Sequence, residues 1–215
     1  MTKGLGRRIA ADKRDHDYLL AALPQDTITR RYRYWWGNGA WYDQGNTPSC
    51  VGHAFAHYLE DGPVTQPNLV ADPFSIYHAA QQVDEWAGTD YDGTSVRAGA
   101  KVLASRGLIS SYLWAWELET VITTVLEVGP VVMGTDWFEA MFATDANGYV
   151  HAEGDVAGGH AWVINGVNRN TRTFRGKNSW GRSFGIGGHF KISFDDVALL
   201  LARDGEACRA VEVQR

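Results

Sequence analysis

The chain alternates between two textures. From Cys50 to about Asp61 the apolar residues Val51, Ala54, Phe55, Tyr58 and Leu59 recur at the three- and four-residue spacing of a helix. Ser49 stands where an N-cap belongs, which puts Cys50 in the first turn. "DPFSIYHAAQQVDEW" repeats that spacing behind Asp72 as cap and Pro73 as first helical residue. "SVRAGAKVLASRG" predicts a third helix, capped by Ser95 and stopped by Gly107, and "ELETVITTVLEVG" a fourth. After Gly129 the texture changes. "PVVMGTDW", "HAWVINGVN", "TFRGKNSW" and "GHFKISF" are short β-branched or aromatic runs broken by Gly and Asn, and "EACRAVEV" reads as a final strand. Helices in the first half and strands in the second predict a single α+β domain, with a crevice between a helical lobe (about 40–115) and a sheet-rich lobe (about 116–215). Residues 1–30 are polar and without period, so a surface arm is expected there. The aromatic, turn-rich "YRYWWGNGAWYDQGN" is expected to lie extended against the body.

Composition narrows the classes. At 215 residues and 45% hydrophobic the chain can bury one sizeable core. A net charge of −5, with no basic run beyond Arg30, Arg31 and Arg33, argues against a nucleic-acid partner. No apolar stretch reaches the length of a membrane span, and the N-terminus lacks the apolar region of a secretory signal. A cytoplasmic protein with no membrane partner is therefore expected; the sequence leaves the oligomeric state open. Two cysteines make no disulfide framework.

One of those cysteines, Cys50, sits at a predicted helix start, where unpaired N–H groups favour a thiolate. Taken alone, a lone cysteine is more often a small buried hydrophobe, and Cys208, in the apolar last strand, keeps that reading. In "DVAGGHAWVINGV" the glycines, Gly159 among them, let another chain pass close to the backbone, and His160 at the start of a strand suits a general base. In "GKNSWGRSFGIGGHFKI", Asn178 could orient an imidazole and Trp180 could shield that hydrogen bond from water. His53 and His57 share a helix face with Cys50, but no clear fourth ligand accompanies them, so neither a metal nor another cofactor is expected.

Gln44 before Cys50, the Gly-His-Ala block and the Asn-Ser-Trp-Gly block follow one another in order. In this the chain resembles the papain-like cysteine peptidases from about residue 40 to 195. The resemblance implies a papain-like fold and hydrolysis of a polypeptide through an acyl-enzyme. It makes Cys50 the nucleophile, His160 the base, Asn178 its orienting partner and Gln44 an oxyanion donor, with Trp180 over the His–Asn bond. Gly93 and Thr94 are the nearest match to the family's glycine pair along the substrate groove. Thr47 replaces a cysteine of the family pattern, Val51 a tryptophan and His53 a phenylalanine. The interval from Cys50 to His160 is shorter than the family's roughly 130 to 150 residues. The short interval implies trimmed loops, as in a reduced bacterial- or phage-like member, and with only 49 residues before Cys50 no inhibitory pro-region of the usual length is expected. Two alternatives remain: a catalytically silent peptide-binding module on the same fold, or another cysteine acyl-transfer enzyme, transglutaminase-like or an amidase.

Overall fold

In the computed structural model, which describes residues 3–10, 12–35, 41–64 and 71–213, the four expected helices form where their caps and stops place them. After a short strand β1 (Tyr32–Tyr34) come α1 (Cys50–Asp61), α2 (Pro73–Gln81) and α3 (Val96–Ser105). Asp72 caps α2 by accepting from the backbone of Phe74 and Ser75, and Ser95 caps α3 by accepting from Ala98. Gly107 takes a positive φ of 65° just beyond α3, a conformation that costs a residue with a Cβ. The α2 pattern runs on in sequence to Trp86, but the helix stops at Gln81. The carboxylates of Asp84 and Glu85 are instead committed to Tyr91, Thr94, Ser95 and Arg97.

Next come β2 (Ile109–Ala115), α4 (Leu118–Glu127), β3 (Val131–Phe138), β4 (Val156–Asn168), β5 (Thr173–Lys177), β6 (His189–Ser193), α5 (Phe194–Ala202) and β7 (Glu206–Glu212). Sequence reading missed β2 and α5. β2 is an edge strand of the order β2-β7-β3-β4-β5-β6, so its exposed serines break any alternation. α5 was hidden in the tail of a strand-like run: Ser193 closes β6 and caps the helix through Asp196 N–H.

The sheet is apolar on both faces, and the period of two along each strand divides its residues between two cores. Val131 and Met133 of β3, Trp162 and Ile164 of β4 and Ala207 of β7 pack beneath α4 and α5. Their neighbours Val132, Ala161, Val163, Cys208 and Ala210 pack against α1, α2 and α3. β4 thereby reaches both halves, and antiparallel pairing with β3 sets Thr135 opposite His160. Of the aromatic stretch before α1, residues 36–40 lie outside those described.

The N-terminal segment does more than cover the surface. Gly4 N–H donates to the Gly45 carbonyl, Thr94 N–H to the Gly6 carbonyl, and Arg8 N–H to the Thr94 carbonyl. Farther on, Arg97 of α3 binds the Asp15 carboxylate and the Ala10 carbonyl. Beyond it, Glu127 accepts from the backbone of Thr29 and Arg30.

Candidate active site

Cys50 opens α1 and is fully buried. Ser49 stands at the N-cap but makes no capping bond. Its hydroxyl is taken by Thr47 Oγ1 at 2.6 Å and His53 Nδ1 at 3.1 Å. The first N–H groups of the helix are therefore free for the thiol. Backbone N–H groups of Ala161, Gly6, Val51 and Cys50 itself face the sulfur. Burial outweighs them and pushes the thiol up to about 11, so the sulfur is protonated in this state.

His160 lies on β4, immediately before Ala161. Its Nε2 is 2.9 Å from Asn178 Oδ1, which fixes the proton on Nε2 and leaves Nδ1 as the basic nitrogen. Among the described residues Nδ1 has no hydrogen-bond partner, so it makes no bond to the Cys50 thiol here. Burial lowers the imidazole to about 4, against a smaller opposing effect of the Asn178 bond, and the ring is neutral at pH 7. Trp180 stacks on it with ring centres 5.0 Å apart, and Phe142 stacks on Trp180 at 5.5 Å. Trp137 meets the imidazole edge-on at 4.7 Å. The imidazole is thus met by two aromatic rings, Trp180 and Trp137, and Phe142 backs the first; sequence reading singled out Trp180 alone.

Gln44 is buried rather than free in its turn. Its Oε1 accepts from Ser179 Oγ at 2.5 Å and its backbone N–H donates to the Ser179 carbonyl at 2.8 Å, so the loop after β5 braces it. Its Nε2 donates to Thr47 O at 2.8 Å and to Gly4 O at 3.1 Å. Ser179 was passed over in the sequence, although it lies inside the Asn-Ser-Trp block.

The cleft is filled by the chain's own residues 4–8. Gly159 O accepts from the N–H groups of Gly6 at 3.0 Å and Arg7 at 2.9 Å. Thr94 pairs with the same stretch on the opposite side, through its N–H and its carbonyl, both at 2.9 Å. Gly93 does not pair with it: its N–H goes to Tyr77 Oη at 3.1 Å. What Gly93 supplies is clearance, since a Cβ there would stand 2.2 Å from Gly6 O. The arm needs glycine equally. A Cβ on Gly4 would come 2.1 Å from Thr47 O, one on Gly6 1.9 Å from Pro48 O, and one on Gly159 2.1 Å from Arg7 O. His53 and His57 face α1's surroundings: His53 is held by Ser49, and His57 Nε2 accepts from Tyr42 N–H at 3.1 Å.

No family model matches the chain. An uncharacterised peptidase C1-like protein of Acanthamoeba polyphaga mimivirus is 24% identical, over 73% of this chain and 65% of its own length. The chain thus spans just under two thirds of that relative. Among solved structures, xylellain, a cysteine protease from Xylella fastidiosa, superposes with a TM-score of 0.80 over 99% of this chain and 97% of its own, at 17% identity. Procathepsin L 3 of Tenebrio molitor gives 0.68 over 97% and 76%, at 13% identity. A Carica candamarcensis cysteine protease in complex with E-64 gives 0.63 over 86% and 100%, at 15% identity. The chain has the papain-like fold, and the resemblance read from its motifs holds.

Proposed function

We propose that the chain is a cysteine peptidase that hydrolyses peptide bonds through an acyl-enzyme. The observation that carries this reading is the convergence of Cys50 at a helix start, an imidazole oriented by Asn178, and a Gln44 amide already donating to a peptide carbonyl. In the reaction the Cys50 proton passes to His160 Nδ1 and the sulfur attacks the carbonyl carbon. Gln44 Nε2 and the Cys50 backbone N–H receive the developing oxyanion. The C–N bond breaks as the imidazolium returns its proton to the leaving amine. Water, deprotonated by the same nitrogen, then cleaves the thioester and restores the thiol.

In this state the site is at rest. The carbonyl on Gln44 belongs to Gly4, and the Gly6 N–H, which lowers the Cys50 thiol, is bonded to the Gly159 carbonyl. Substrate enters once Gly4–Arg8 leave. One observation favours the silent binding module as a second reading: both reacting groups are buried and uncharged, and the groove holds peptide without consuming it. Titration with E-64, followed by peptide mapping and an assay on unfolded casein, separates the two. The peptidase reading expects one E-64 per chain on Cys50 and casein cleavage once the arm is loosened by Gly6→Val. Labelling without cleavage makes the module correct, and no labelling in either protein removes both the nucleophile and the cleft.

A further inference from the structure

His53 lies about one turn past Cys50 on α1, is 1% exposed, and takes no part in the reaction above. Phe74 meets its ring edge-on at 5.0 Å and Tyr42 at 6.3 Å, surroundings that would suit a phenyl ring as well. Burying an imidazole there is costly unless its polar atoms are used. Its Nδ1 is used: it lies 3.1 Å from Ser49 Oγ and 3.0 Å from Ser49 O. From Ser49 the contacts continue as a file of hydroxyls. Ser49 Oγ is 2.6 Å from Thr47 Oγ1, and Thr47 Oγ1 donates to the Gln44 carbonyl at 2.6 Å. Thr47 also grips Gln44 through its main chain. Its N–H donates to Gln44 O at 3.1 Å, and its carbonyl accepts from Gln44 Nε2 at 2.8 Å.

We propose that His53 is a positioning residue for the oxyanion donors, holding Gln44 and the Cys50 N–H in register through the Ser49 and Thr47 hydroxyls. The inference rests on the peptidase reading for its effect on turnover and on hydrogen-bond geometry alone for its proton order. That order follows from counting hydrogens. The Thr47 hydroxyl hydrogen is spent on Gln44 O, so the hydrogen between Thr47 and Ser49 belongs to Ser49. With that hydrogen spent in turn, Ser49 has none left for the ring. Nδ1 therefore carries the proton and donates to Ser49 Oγ and Ser49 O. Burial lowers the imidazole from 6.5, so the ring is neutral and this is its one N–H. His53 thus holds the tautomer opposite to that of His160, whose proton is on Nε2. Every donor in the file points from α1 toward Gln44. Ser49 is the residue before Cys50, so the file fastens the segment carrying the second oxyanion donor, the Cys50 N–H, to the loop carrying the first. Ser179 braces Gln44 from the sheet side only, through Oε1 and the Gln44 N–H.

The test uses the full chain with the arm loosened by Gly6→Val and a fluorogenic peptide as substrate. His53→Phe keeps the ring and removes the first donor of the file. It lowers kcat by about tenfold or more, with KM within about threefold, because a displaced donor is felt in the transition state. His53→Asn, whose amide nitrogen reaches the Nδ1 position, recovers most of the rate; His53→Gln, which reaches the Nε2 position instead, does not. Iodoacetamide alkylation of Cys50 stays near normal in all three. Combined with Gln44→Ala, His53→Phe costs no further rate, since both act through one donor. An unchanged kcat in His53→Phe, equal rates in the Asn and Gln variants, a loss that multiplies that of Gln44→Ala, or slowed alkylation makes His53 a packing residue and overturns the proposal. Should the Gly6→Val chain turn over no peptide, the peptidase reading fails and the proton order is decided separately. Long-range proton–nitrogen correlation NMR on the intact chain then reads the ring. A proton on His53 Nδ1, with Gln44 side-chain amide exchange quickened by His53→Phe, supports the file. A proton on Nε2, or exchange unchanged in that variant, overturns it.

Discussion

Cys50 and Cys208 are both fully buried, and burial raises both thiols above their usual value. Their surroundings differ. Cys208 sits in β7 between β2 and β3, opposite Trp114 and Val132, so the N–H groups about it are committed to the ladder. Nearby Glu206 raises its thiol further. Cys50 sits where a helix starts and a strand passes, and the backbone N–H groups of Ala161, Gly6, Val51 and Cys50 itself pull its thiol downward against burial, the Gly6 group while also bonded to the Gly159 carbonyl. The contrast teaches that enclosure alone says little about a thiol. What counts is whether the enclosing groups have N–H donors to spare and whether the enclosure can open. Over Cys50 the cover is a few arm residues; over Cys208 it is the sheet.

The largest expected effect breaks the comparison outright. Cys50→Ala abolishes peptide turnover and E-64 capture, whereas Cys208→Ala retains both, as read by assay and intact mass. Loss of capture in Cys208→Ala would exchange the roles of the two. Next, Gln44→Ala slows kcat by about 100-fold with KM within a few-fold, because its amide meets charge that exists only in the transition state. Alkylation of Cys50 by iodoacetamide needs no oxyanion donor and stays near normal. Lost alkylation would mean that Gln44 serves the loop it shares with Thr47 and Ser179. Third, Gly6→Val cannot fit beside the Pro48 carbonyl and lifts the arm. Alkylation at Cys50 rises by about tenfold or more while Cys208 stays protected, since the neighbouring N–H groups then act on a wetted sulfur. Equal rates at both cysteines would mean that labelling reports global unfolding.

The fourth effect concerns pH. His160 is lowered from 6.5 to about 4, and burial lowers His53 and His57 as well. Below pH 6.5 the unfolded chain binds protons that the folded chain refuses, so the stability these rings contribute is whole above pH 6.5 and declines as pH falls toward 4. Urea midpoints at pH 7, 6, 5 and 4 check the direction, and a flat series would contradict neutral buried imidazoles. The smallest effect belongs to the quiet cysteine. Cys208→Ala leaves a small void and costs about 1 kcal/mol in urea unfolding.

The same two residues show how much was legible in the sequence. Cys50 announced itself because its helix has apolar positions at period and a turn-rich lead-in, and because Gln44, His160 and Asn178 follow in a recognisable order. Asp72, Pro73 and Ser95 marked their helices through local bonding that needs no tertiary context. Ser49 misled because two other local side chains, Thr47 and His53 one turn on in the same helix, captured the hydroxyl that the cap rule assigned to the backbone. The arm stayed hidden because it is held by backbone. Gly4, Gly6, Gly93 and Gly159 meet through absent side chains, which leave no apolar period to read. Arg7 of the arm and Glu206 of β7, paired at 3.0 Å, were passed over as ordinary charges, since a pair separated by nearly the whole chain has no sequence signature.

Because Gly4–Arg8 remain covalently attached to the groove they occupy, they behave as a tethered ligand. A tether of this kind holds its end at an effective concentration of order millimolar. A free peptide meets that standing occupancy whatever its own fit, and its apparent dissociation constant is raised by the ratio of closed to open chains. On the peptidase reading, a short peptide at micromolar levels would then be turned away, while a substrate presented at high local concentration would gain entry. The intact chain would work as a threshold device, with its set point written in the glycines of a five-residue segment rather than in the reacting groups.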